Sequence, residues 1–187
     1  MIYPKKINAN KSEKLIKIFL LSSIILALIL LLINKLTTPN IPWAALASGG
    51  IVYIWVTVIY SIRKNTNIAG HVLIQTLAIS LLIVFIDYKL GFKGWSIEIA
   101  IPIIIMIANI TMLVLTIVSY KKYIKYAIYQ LLIVLFSMLP ILFIEENMVN
   151  NIVLSIIASS ISILNFILCL ILCAKDVKEA VIRKFHM

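Results

Sequence analysis

Residues 97–120 read IEIAIPIIIMIANITMLVLTIVSY, and their only charge is Glu98, at one end. A helix rises about 1.5 Å per residue and a bilayer's hydrocarbon core is about 30 Å thick, so about 20 such residues cross it. The same reading extends outward to residues 15–34, 41–62, 68–86, 126–144 and 148–174. Beyond a first-turn Lys17, none of these segments carries Lys, Arg or Asp in its interior. The connections, residues 35–40, 63–67, 87–96, 121–125 and 145–147, are too short to hold a folded domain. The sequence therefore predicts an all-α polytopic membrane protein, a bundle of six transmembrane helices over residues 15–174. A basic tail, residues 1–14, precedes it, and an amphipathic basic tail, residues 175–187, follows. The first apolar run is too long for a cleaved signal, and no A-x-A-like site follows it.

Composition agrees. The chain has 187 residues, of which 63% are hydrophobic and 13% charged. Soluble domains are about 45–50% apolar and about 25% charged, so almost any soluble globule is excluded. Two Cys, both inside an apolar run, exclude a disulfide framework. The net charge of +10 points to membrane orientation and anionic headgroups rather than to nucleic acid, because basic residues cluster at span ends. Fourteen of the 17 lie on one side: Lys5, Lys6, Lys11, Lys14, Lys17, Arg63, Lys64, Lys121, Lys122, Lys125, Lys175, Lys178, Arg183 and Lys184. Only Lys35, Lys89 and Lys93 lie on the other. The expectation is a multi-pass protein of a bacterial cytoplasmic membrane with both termini in the cytoplasm. Trp43 and Trp95 then sit at outer boundaries, and Tyr60, Tyr120, Tyr123 and Tyr126 at inner ones, as amphipathic rings prefer. Trp55 falls inside a span, where its N–H needs a partner; it reads first as a packing residue.

Three short stretches carry a family resemblance: Ile41-Pro-Trp-Ala-Ala, Ile54-Trp55-Val-Thr, and Gly94-Trp95-Ser96 running into Ala100-Ile-Pro102. They resemble a bacterial six-helix membrane family known as domain of unknown function 6320. The resemblance implies the six-helix architecture over nearly the whole chain and no assigned activity. Many members carry an N-terminal zinc ribbon with paired CxxC motifs. This sequence opens Met1-Ile-Tyr3-Pro4-Lys5 without such cysteines, so no metal role is implied.

Polar groups inside a bilayer are costly and therefore informative. Gln75 and Asn109 lie near the midplane, with Asn165, Gln130 and His71 roughly 6–9 Å toward the cytoplasm. His71 and Gln75, four apart, share a face. The five form a candidate polar tier, either a site for a headgroup or small solute or, more simply, interhelical hydrogen bonding. In the last span Ser155, Ser159, Ser162, Phe166, Cys169 and Cys173 recur every three or four residues, a seam of mostly small side chains that favours close helix packing. Cys169 and Cys173 without a nearby His or acid make a poor metal set. In the second span Ala45 and Gly49 suggest similar packing. Pro102 and Pro140 each remove a helix hydrogen bond, and Pro140 would free the Phe136 carbonyl. Asp87, Glu98, Glu145 and Glu146 read as solvated loop charges ahead of a cation-attracting mouth.

No HExxH, GxSxG or P-loop occurs, and no acid stands at a telling distance from His71 or His186. The sequence thus predicts no enzyme, no cofactor and no metal. The leading expectation is a non-catalytic membrane scaffold or accessory subunit. Its expected partners are the lipid bilayer, anionic headgroups at the cytoplasmic face, and a second copy or another membrane protein. The alternative is a small transporter, channel or lipid-handling protein using the midplane tier. A lipid-modifying membrane enzyme comes last.

Overall fold

Hydrocarbon offers no hydrogen bonds, so an apolar segment must satisfy its own N–H and C=O groups within a helix. The computed structural model describes residues 9–63, 68–118, 123–142 and 153–185, and all six long elements are helices. They are α1 (Ala9–Thr37), α2 (Trp43–Arg63), α3 (Ile68–Lys89), α4 (Ile101–Val118), α5 (Tyr123–Leu142) and α6 (Val153–Phe185). One π-helical turn, Ser96–Ala100, leads into α4. Stretches long and apolar enough to cross a membrane occur in α1, α2, α3, the π-turn with α4, and α6. The described apolar run of α5, Ala127–Pro140, is shorter than a span.

Two further boundaries differ from the sequence reading. The amphipathic tail at 175–187 does not begin as a separate element: α6 runs unbroken to Phe185. No Gly or Pro follows Ala174, so nothing in the local chemistry ends the helix. Likewise α1 begins at Ala9, inside the stretch read as a tail. Residues 119–122 and 143–152, which include Lys121, Lys122, Glu145 and Glu146, lie outside the described residues.

The chain divides into two compact units, Met1–Val56 and Thr57–Met187. In the first, one buried amide organises the turn between α1 and α2. Asn34 Nδ2 donates to the carbonyls of Thr38 at 2.6 Å and Ile41 at 2.8 Å. Its Oδ1 accepts from Ala44 N at 3.2 Å, which satisfies an N–H of the first α2 turn. Trp43 Nε1 donates to Thr38 Oγ1 at 2.8 Å. Trp55 finds its partner in Ser23, whose Oγ accepts from Nε1 at 2.6 Å.

In the second unit α4 is the central helix, touching α3, α5 and α6. Its inward stripe is Ile101, Pro102, Ile105, Ala108, Asn109, Met112 and Thr116, at the three-and-four spacing of one helical face. Ile105 and Met112 pack with Ala69 and Leu73 of α3, Ile133 of α5 and Ala158 of α6 in one core. Pro102 explains the π-turn. It has no N–H for the carbonyl four residues back, and Ile101 N instead donates to Ser96 O, five back.

Candidate functional site: a closed amide network, an anchored loop and an apolar cavity

The interior of the second unit is built around Asn109. This residue is fully buried, and its amide uses all of its hydrogen-bonding capacity. Nδ2 donates to Ser162 Oγ at 2.6 Å and to the Ile105 carbonyl at 2.9 Å. Oδ1 accepts from Gln130 Nε2 at 2.9 Å and from Asn165 Nδ2 at 3.4 Å. Asn165 Nδ2 also donates to the Asn109 backbone carbonyl at 3.0 Å. Ser162 Oγ in turn donates to the Ala158 carbonyl at 2.9 Å. Helices α4, α5 and α6 are thus tied at one depth by side chains that are 0–9% exposed.

The tier expected from depth therefore divides. Asn109, Gln130 and Asn165 meet. Gln75 and His71 do not join them: they line a cavity of about 320 Å³ between α3 and α4, together with Thr76 and Thr111. Gln75 Nε2 donates to Thr57 Oγ1 at 3.1 Å. The His71 ring stands edge-on to Tyr60, with centroids 5.1 Å apart. Depth places a residue along the bundle axis, whereas helix rotation decides its direction, and α3 turns Leu73 and Thr76 inward here.

The small residues of α6 lie on the same inward side. Ser155, Ser159, Ser162 and Cys169 are buried, whereas Ile157 is 43% exposed. Ser159 Oγ lies 2.7 Å from the Ser137 carbonyl of α5 and 2.8 Å from the Ser155 carbonyl of its own helix. The Cys173 side chain lies outside the described residues.

A feature missed in the sequence sits at the end of α3. Asp87 was expected as a solvated charge, but it is fully buried. Its Oδ1 accepts from Lys93 N at 3.0 Å, and its Oδ2 from Ser96 N at 3.3 Å and Ser96 Oγ at 2.7 Å. Helix α3 ends in a Schellman arrangement: Phe92 N donates to Asp87 O at 2.9 Å and Gly91 N to Tyr88 O at 3.3 Å. That motif places Gly91 at φ +96°, a region a side chain resists. The next residue, Phe92, has φ +40° despite its side chain. The carboxylate is what folds the loop. The nearby Gly91 and Gly94 were the signal in the sequence, because loop backbone free to turn can bring its N–H groups to an acceptor.

Below this loop, α3, α4 and α5 line a half-open cavity of about 720 Å³. Leu77, Leu81, Val84 and Tyr88 line it from α3, Ile97 and Ile101 from the α4 side, and Phe136, Leu139 and Pro140 from α5. Phe92 of the loop stands at its edge. Ser80 also lines it, with a buried hydroxyl that has no hydrogen-bond partner, yet the surface offered to the cavity is wholly apolar. Among the described residues, no three His, Cys, Asp or Glu side chains come together as a metal set.

No curated protein and no solved structure matches the chain. A family model described as a family of unknown function matches residues 3–187, which is nearly the whole length. The chain belongs to that family, DUF6320.

Proposed function

We propose that this protein is a non-catalytic scaffold or accessory subunit of a bacterial cytoplasmic membrane, with both termini in the cytoplasm. The observation that carries the reading is the closure of the Asn109 network. Its amide has no donor or acceptor left to offer a solute, because Ser162, Ile105, Gln130 and Asn165 take them all. Side chains satisfied in this way hold helices in register and specify one packing. The expected partners are membrane proteins, including a second copy, and anionic headgroups met by the basic residues at the cytoplasmic ends.

The test is purification in mild detergent, with the mass of the assembly and the identity of its proteins measured. A stoichiometric membrane-protein complex or a defined homo-oligomer is the expected result. The purified chain is also reconstituted alone in liposomes and assayed for solute flux. Saturable flux lost on Asn109→Leu would overturn the scaffold reading in favour of a carrier.

A further inference from the structure

We propose that the 720 Å³ cavity between α3, α4 and α5 seats one acyl chain of an anionic phospholipid, with the lipid's phosphate held at Lys89 and Lys93. The proposal rests on the membrane assignment and not on the scaffold role. Three observations carry it.

The first is length. Leu77, Leu81, Val84 and Tyr88 form one stripe of α3 along the cavity, at spacings of four, three and four. Eleven residues of helix rise about 16 Å, close to the roughly 15 Å depth of one leaflet's hydrocarbon. The stripe is thus about as long as one leaflet's hydrocarbon is deep, the length that a lipid tail needs.

The second is chemistry. Among the described residues no charged side chain lines the cavity, and the surface they offer to it is apolar. Its volume of about 720 Å³ lies within the roughly 300–1,000 Å³ of small-molecule sites. A bilayer surrounds such a groove with hydrocarbon chains at high concentration.

The third is charge at the mouth. Tyr88 and Phe92 line the cavity where α3 ends, and the cations flank them. Lys89 Nζ stands 5.7 Å from the centroids of the Tyr88 and Phe85 rings. Lys93 follows Phe92 directly and is exposed. Lys89 and Lys93 thus each adjoin, in sequence, an aromatic residue that lines the cavity. The adjacent acid, Asp87, is buried and faces the backbone N–H groups of Lys93 and Ser96. Glu98 is only partly exposed, on the π-turn. The strained Phe92 backbone and the anchored loop hold the mouth in place, which is where backbone strain is commonly stored.

The test uses the full chain, stripped of lipid in dodecyl maltoside and titrated with dioleoyl-phosphatidylglycerol or dioleoyl-phosphatidylcholine. Native mass spectrometry counts the lipids retained. One phosphatidylglycerol is expected, bound about thirtyfold more tightly than phosphatidylcholine, since each of two lysines beside a net negative headgroup contributes about fivefold, whereas choline offsets the phosphate charge in phosphatidylcholine. Lys89→Gln with Lys93→Gln should bring that ratio close to one while either lipid still binds. Val84→Trp and Leu139→Trp, which fill the cavity from two helices, should lose both lipids with helicity unchanged. If both Trp variants misfold, the lysine pair decides alone. Equal affinity for the two lipids in the natural chain would overturn the proposal. So would an undiminished preference in the lysine variant, or unchanged binding in a folded Trp variant. Competition by soluble glycerol 3-phosphate at the same concentrations as lipid would assign the site to free phosphate and refute the chain seat.

Discussion

Replacing Asn109 by Leu removes the hub of the network at nearly constant volume. Three interhelical side-chain bonds disappear, to Ser162, Gln130 and Asn165. Such bonds in membranes average about 0.6 kcal/mol, giving about 1 kcal/mol for those to Ser162 and Asn165. The partners suffer unequally. Ser162 keeps the Ala158 carbonyl, and Asn165 keeps the backbone carbonyl of residue 109. Gln130, 2% exposed, loses the acceptor for its Nε2, and an orphaned buried donor costs about 1–3 kcal/mol. Asn109→Leu should therefore destabilise by about 2–4 kcal/mol, Gln130→Leu by about 1–2 kcal/mol. The double variant should lose less than the sum, by about 1 kcal/mol, because the orphan is removed with its partner. The assay is reversible unfolding in mixed micelles, with SDS mole fraction as denaturant and helicity as signal. Losses that add within about 0.5 kcal/mol would show that the two amides are not coupled, and the network argument would fail.

Three further outcomes follow from the geometry. Ser159→Leu should cost roughly 1–3 kcal/mol by overpacking the α5–α6 contact, whereas Ile157→Leu, on an exposed face, should stay within about 0.5 kcal/mol; equal losses in the same unfolding assay would argue against the seam. Asp87→Asn leaves one acceptor oxygen where the carboxylate supplied two, so it should cost about 1–3 kcal/mol and speed amide exchange at Lys93 and Ser96, and unchanged exchange there would refute the anchoring role. A cysteine introduced at Asn40 should react with an impermeant maleimide from outside the cell and one at Asn65 only after permeabilisation; the reverse pattern would invert the proposed orientation.

Much of this protein was already legible in the sequence, for reasons of solvent. Long apolar runs such as residues 99–118 belong in hydrocarbon, and hydrocarbon permits a lone segment only the helix. The all-α class and the six helices follow from that constraint alone. Periodicity went further, because the spacing of Ser155, Ser159 and Ser162 places small residues on one side of α6 whatever that side meets. Directions between helices were not determined in this way. Asn109, Gln130 and Asn165 converge while Gln75 and His71 turn elsewhere, since each helix's rotation is set by packing against its neighbours and not by its own pattern. Asp87 shows the same limit in a loop. Its fate depends on whether the N–H groups of Lys93 and Ser96 fold back within reach, and that is a property of the tertiary backbone. The apolar cavity is likewise a gap between three helices, made by what their facing side chains leave unfilled, and only their final placement created it.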